Sequence, residues 1–159
     1  MSNIKSHDEI IALREKFRTE KKKVVFTNGV FDIIHAGHVD YLIKSKAEGD
    51  VLIVGMNSDS SVRRIKGENR PVVPESQRAF VLSNIKPVDY VVIFTEDTPA
   101  ELIEKIIPDV LIKGADWNIA DIVGKDIVLE NGGEVKTIKF VNDQSTSNIV
   151  KTILEKYKS

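Results

Sequence analysis

At 159 residues the chain is long enough for one substantial core and too short for two comfortable domains. Its net charge of −1 and 30% charged content give no global attraction to nucleic acid or to an anionic membrane surface. The lack of cysteine excludes disulfides, thiolate-held zinc and a thiol nucleophile. No apolar run nears the length of a membrane span, and Met1 to Glu20 has no apolar signal segment, so a cytoplasmic, unanchored protein is expected.

Taken in chain order, the first periodic stretch is Asp8 to Glu20, whose Ile10, Ile11, Leu13 and Phe17 predict a helix with Asp8 as its N-cap. After a charged connection, Lys21 to Lys23, the β-branched run Val24 to Thr27 reads as a buried strand. A loop, Asn28 to Asp32, leads into a helix from Val39 to Glu48. Val51 to Asn57 is continuously apolar almost to its end, as a strand buried on both faces would be. A short helix over Ser58 to Ile65 and a Gly- and Pro-interrupted loop, Lys66 to Val73, come next. Pro74 opens a helix to about Ile85, and Tyr90 to Phe94 is a strand. Thr98 is expected to cap a helix that begins at Pro99 and ends at Pro108, followed by a strand at Val110 to Ile112. A weaker helix, Ile122 to Glu130, stops at Asn131-Gly132-Gly133. The alternating Glu134 to Phe140 suits an edge strand, and Thr146 to Lys156 suits a final helix.

Strand and helix thus alternate five times without repeats or linkers. The pattern predicts an α/β, doubly wound, Rossmann-like sheet of five parallel strands with helices on both faces. One domain is expected over residues 1–159, with 1–22 a helical extension on a core of 23–159. Ligands of such sheets bind beyond the carboxyl ends of the strands. The chemically unusual residues collect at those ends: Thr27 to His38, Asn57 to Asp59, Lys113 to Trp117 and Asp143 to Ser147.

Two of the three histidines, His35 and His38, stand three apart where a helix begins, so they share a helix face beside its positive pole. With Gly37 between them, they suit a phosphate cradle, whose rings donate N–H bonds to oxygens that gain charge during transfer. Capping and core packing are the plain alternative. No third ligand stands at a recognised metal spacing, so no resident metal site is expected. Lys66, Arg70 and Arg78 suit either a surface cluster or a basic flap over a polyphosphate, with Lys66 on a mobile loop. Lys113 to Trp117 suits a turn holding a caged tryptophan or a substrate contact, and Gln144 to Asn148 suits simple capping or triphosphate binding. No Walker A and no Gly-x-Gly-x-x-Gly sequence occurs.

The stretch Thr27-Asn28-Gly29-Val30-Phe31-Asp32-x-x-His35-Ala36-Gly37-His38 resembles the cytidylyltransferase-like nucleotidyltransferases, whose signature is His-x-Gly-His. The likeness continues through Asn57-Ser58-Asp59, Arg70-Pro71-Val72, Gln77-Arg78, Lys113 to Asp116 and Ser145-Thr146-Ser147. Among its branches the chain looks most like the adenylyltransferases acting on D-glycero-β-D-manno-heptose 1-phosphate. Lys113 matches that branch, while Phe140 to Gln144 lacks the arginine that glycerol 3-phosphate cytidylyltransferases carry. Val30 and Ala115 depart from the common cysteine and second glycine.

The resemblance implies in-line attack of a sugar 1-phosphate on ATP, with Mg²⁺ carried on the ATP and a homodimeric stand-alone transferase. It implies His35, His38 and Lys66 as catalytic. Thr27, Asn28, Gly29, Phe31, Gly37, Asp59, Arg78, Gly114, Asp116, Ser145, Thr146 and Ser147 would serve the nucleotide and its phosphates. Asp32 and Lys113 would serve the sugar phosphate. A polyol-phosphate cytidylyltransferase and a nucleotide sensor without turnover are the competing readings.

Overall fold

The computed structural model describes residues 3–139 and 145–157. Its strands are β1 (Ile4–Lys5), β2 (Val24–Gly29), β3 (Val51–Asn57), β4 (Tyr90–Phe94), β5 (Val110–Gly114) and β6 (Glu134–Ile138). They form one parallel sheet in the order β1-β4-β3-β2-β5-β6. The sheet therefore has six strands rather than the expected five, because Ile4 and Lys5 pair with Val91 and Val92. The N-terminal segment is accordingly a strand plus a helix, and the strand covers the edge that β4 would otherwise expose.

The helices are α1 (His7–Thr19), α2 (Ala36–Lys46), α3 (Asp59–Lys66), α4 (Glu75–Ser83), α5 (Ala100–Ile106), α6 (Lys125–Glu130) and α7 (Thr146–Tyr157). Ser6, not Asp8, caps α1. Its hydroxyl accepts from the Glu9 N–H, and the Glu9 carboxylate accepts from the Ser6 N–H. Pro99 takes the N-cap of α5 without a side-chain bond, so Thr98 does not cap it. That helix ends before Pro108, at Ile107 in the left-handed region (φ 45°). The buried Arg14 guanidinium of α1 donates to the Ile106 and Ile107 carbonyls and pairs with Asp109, satisfying a helix end that β-branched Ile107 could not close alone.

Side chains alternate along β2. Val24 and Phe26 join Ile10, Phe17, Leu102, Ile106 and Val128 on the face covered by α1, α5 and α6. Val25 joins Tyr41, Leu42, Ala79 and Leu82 on the face covered by α2 and α4. Burial on both faces explains the unbroken apolar runs of β2 and β3. At Gly55 an added Cβ would stand 2.8 Å from the Phe26 ring, so only glycine lets these neighbouring strands keep that aromatic between them.

The chain runs from β2 outward through β3 and β4, then crosses to β5 and β6 on the other side of β2. This places the reversal of strand order between β2 and β5. Their pairing stops at Val25↔Val110 and Phe26↔Leu111. The outer pairings run further, to Gly29↔Met56 and Gly114↔Ile138. The sheet thus parts at its centre, opening a crevice between Asn28 and Lys113 at the expected ligand position.

Candidate active site

A cleft of about 600 Å³ occupies that crevice, a size typical of small-molecule sites. It is lined by the β2 loop (Asn28, Gly29, Phe31), His38, Lys66 of α3, Lys113, Gly114 and Asp116 after β5, and Ser145 and Thr146 at the start of α7. Residues from all four regions singled out from the sequence therefore meet there, Asn57 at the end of β3 included, and Lys66 joins them from the end of α3.

The helix α2 begins at Ala36, three residues earlier than Val39, so His35 is its N-cap residue and His38 lies in its first turn. The two rings stack with centroids 3.9 Å apart, and Phe31 packs against His38 at 5.3 Å. Phe31 reaches that position through a left-handed backbone (φ 50°). Burial, reinforced by the neighbouring His35 ring and opposed by the Ile33 backbone, lowers the His38 pKa to about 4. Burial also lowers His35. Both rings are therefore neutral near pH 7, each with a single N–H to donate. The buried Nδ1 atoms of both rings and the Asn28 Oδ1 have no hydrogen-bond partner of full geometry among the described residues. Polar atoms left unpaired in this way are expected where a ligand completes the bonding.

Several expected ligand groups turn out to be framework. Arg78 is 1% exposed. Its guanidinium donates to the carbonyls of Val30 (2.6 Å), Asn57 (2.9 Å) and Val73 (2.9 Å) and pairs with Asp59 (2.7 Å). Enclosed in this way it does not reach a nucleotide, and it ties the β2 loop, the end of β3 and the segment before α4 into one unit. Asp59 belongs to the same tie and lies outside the cleft lining. The Asp32 carboxylate is likewise enclosed, accepting from the N–H groups of Val72 and Val73 and from Arg70. Burial pushes Asp32 up, but these donors outweigh it and hold its pKa below the ordinary value. Asp32, at the edge of the cleft, thus clamps the stretch before α4 through its carboxylate.

The expected flap is correspondingly different. Lys66 is the exposed last residue of α3 rather than a loop residue, and the following stretch is pinned at Arg70, Val72 and Val73. Thr27 is completely buried under the floor, its hydroxyl 2.7 Å from that of Tyr41. Gly37 is buried inside α2. Ser147 faces a separate, smaller hollow with Arg70, Val150 and Leu154. Thr146 is near enough to α2 for its hydroxyl to donate to the Ile33 carbonyl at 3.5 Å, which brings the N-terminus of α7 beside the histidines. Asp143 and Gln144 lie outside the described residues.

At the opposite wall, burial lowers the Lys113 pKa to about 8, with Asp116 opposing the shift. Its ammonium stands 5.4 Å from the centroid of the Trp117 ring, which is 48% exposed at the rim rather than caged. Tyr41, which sequence reasoning passed over, forms part of the floor. Its signal was present: it follows His38 by three residues and so shares that helix face.

Fold and site together define a doubly wound α/β domain with a cleft at the switch in strand order, lined by His38, Lys66 and Lys113. The chain belongs to the cytidylyltransferase-like family, whose profile matches residues 26–153. A relative named Bifunctional protein HldE from Wolinella succinogenes is 55% identical over 150 residues, 94% of this chain and 31% of the relative. The protein of the same name from Geobacter metallireducens is 50% identical over 156 residues, 98% of this chain and 32% of the relative. The chain therefore spans about a third of the length of these curated relatives. Among solved structures, the lipopolysaccharide core biosynthesis protein of Thermoplasma volcanium GSS1 is similar with a TM-score of 0.63 and 30% identity. That match covers 77% of this chain and 99% of the other. A pantoate-beta-alanine ligase from Francisella tularensis shares the fold at a TM-score of 0.57 and 13% identity, over 96% of this chain and 77% of its own.

Proposed function

We propose that the chain is a nucleotidyltransferase that moves AMP from ATP to D-glycero-β-D-manno-heptose 1-phosphate, releasing pyrophosphate and ADP-heptose. The observation that carries the reading is the His35–His38 pair stacked at a helix start, with His38 lining a cleft shared with Lys66, Lys113 and the α7 N-terminus. The names of the relatives, Bifunctional protein HldE and lipopolysaccharide core biosynthesis protein, support the heptose branch over a polyol cytidylyltransferase.

A phosphate monoester is largely ionised near neutral pH, since its second pKa is about 6. The nucleophile therefore needs no general base, and catalysis reduces to positioning and charge stabilisation. An acceptor phosphate oxygen bonds to the α-phosphorus of ATP as the bond to the bridging oxygen breaks, and that electron pair leaves on pyrophosphate. His35 and His38 donate to the oxygens that gain this charge. Lys66 neutralises the polyphosphate, and Ser145 and Thr146 at the α7 N-terminus hold its distal phosphates. Asn28, Gly29, Phe31, Gly114 and Asp116 shape the nucleotide pocket, and Lys113 receives the acceptor phosphate. Among the described residues no group of three or more His, Cys, Asp or Glu is arranged to hold a metal. This donor set fits Mg²⁺ that arrives on the ATP phosphates, where it would add charge neutralisation.

The reading includes a cytoplasmic homodimer. The half-exposed Ile153 and Leu154 of α7 support the dimer, and among the described residues no helix is long and apolar enough to cross a membrane. The test is mass spectrometric detection of ADP-heptose from ATP and the heptose 1-phosphate. His38→Ala should slow its formation by roughly a hundredfold or more, the scale of one lost preorganised donor. Formation at the wild-type rate in that variant would remove the reading.

A further inference from the structure

The cations around the cleft are not equivalent. Arg78 is fully enclosed and paired with Asp59, and Arg70, which also lines the cleft, is paired through its Nε with Asp32. Lys66 and Lys113 make no ion pair among the described residues. Of these two, Lys66 is exposed, whereas Lys113 is drawn into the cleft wall and contacts Trp117. We propose that Trp117 is a positioning residue that holds the Lys113 ammonium in the crevice as the receptor for the acceptor's phosphate dianion. The assignment of that anion to the acceptor rests on the reading given above.

The argument begins with the lysine side chain, a strongly hydrated charge on a flexible four-carbon stem. Left alone it would swing toward water or toward Asp116, three residues on. A carboxylate partner would restrain it but would also cancel its charge and occupy its N–H groups. An aromatic face restrains it by attraction to the ring's negative face and leaves both the charge and the three N–H donors free for an incoming anion. Core packing does not account for the ring's placement, because Trp117 is 48% exposed. The location suits the task as well. Lys113 stands opposite Asn28 where β2 and β5 part, and a phosphate dianion brought there must overcome repulsion from the ATP polyphosphate.

The test compares Trp117→Leu, Trp117→Phe, Lys113→Met and the Lys113→Met/Trp117→Leu double variant by steady-state pyrophosphate release. Trp117→Leu should raise KM for the heptose 1-phosphate by about tenfold, the scale of a partly desolvated cation–π contact, with KM for ATP unchanged. Trp117→Phe should restore most of the loss. The double variant should be no worse than Lys113→Met, because a residue that acts only through Lys113 has nothing left to position. Losses that multiply in the double variant, or a rise in KM for ATP in place of the acceptor, would overturn the proposal.

Because Trp117 is the sole tryptophan, its fluorescence gives a second readout independent of turnover. Titration with heptose 1-phosphate or inorganic phosphate should change it saturably in the wild-type chain and not in Lys113→Met. That response without pyrophosphate release would leave this proposal standing and remove the proposed function. Release without any fluorescence response would do the reverse.

Discussion

Replacing Arg78 with methionine separates its role as framework from a role as phosphate ligand. The guanidinium is 1% exposed and bonds to three carbonyls and one carboxylate on segments separated by up to 48 positions. Breaking a buried charge pair by removing one partner costs about 3–5 kcal/mol. Asp59 keeps a quarter of its side-chain exposure and can rehydrate, which points to the lower end, about 3 kcal/mol. With a urea dependence of roughly 1–3 kcal/mol per molar, the unfolding midpoint should fall by about 1–3 M. Turnover should fall with it, because the Asn28 to Asp32 loop loses its anchor at the Val30 carbonyl. Arg78→Lys should recover little, since one ammonium cannot span four acceptors. The assay is urea unfolding followed by circular dichroism, paired with ATP titration of the initial rate. An unchanged midpoint together with a KM for ATP raised about tenfold would refute the framework role and return Arg78 to the polyphosphate.

Three further outcomes follow from the same geometry. Asp32→Asn keeps the shape but loses the charge that Val72, Val73 and Arg70 address, so it should cost about 2 kcal/mol and make residues 67–73 the first site of limited proteolysis; an intact segment at equal protease would argue against the clamp. His38 titrates near 4 when folded and near 6.5 when unfolded, so the unfolded chain binds more protons between those values and stability falls as pH drops. From pH 7 to pH 5 this amounts to about 2 kcal/mol, which His38→Gln should abolish in urea titrations at the two pH values. Loss of the Lys113 charge above its pKa of about 8 should lower kcat/KM for the acceptor on the alkaline side, and Lys113→Arg should flatten that limb; a limb unchanged in the arginine variant would assign it to another group.

Much of the site was legible because its signals are local. The β-branched run, the His-x-Gly-His spacing and the small residues after β2 and β5 mark strand ends and a helix start without reference to the rest of the chain. The roles of Arg78 and Asp32 were not legible, since an arginine in a short helix after a Gly- and Pro-interrupted stretch reads as a ligand until tertiary packing encloses it beside Ala79 and Leu82. Their partners, Val30, Asn57, Val72 and Val73, offer backbone atoms, which leave no trace in side-chain pattern. The strand β1 escaped for a different reason: two residues cannot show a period, and only the exposed edge of β4 makes them a strand. At the start of α1 the expected cap, Asp8, lies two positions past the true one, because the reciprocal Ser6–Glu9 bonds close the helix at Ser6. Phe140 to Gln144, which bears on base selection, lies outside the described residues.

The most direct measurement is initial-rate pyrophosphate release with Mg²⁺, crossing ATP and CTP against D-glycero-β-D-manno-heptose 1-phosphate and glycerol 3-phosphate. Release with ATP and the heptose phosphate alone is the expected result. Release with CTP and glycerol 3-phosphate would contradict the substrate assignment, and silence in all four combinations would contradict transferase activity itself.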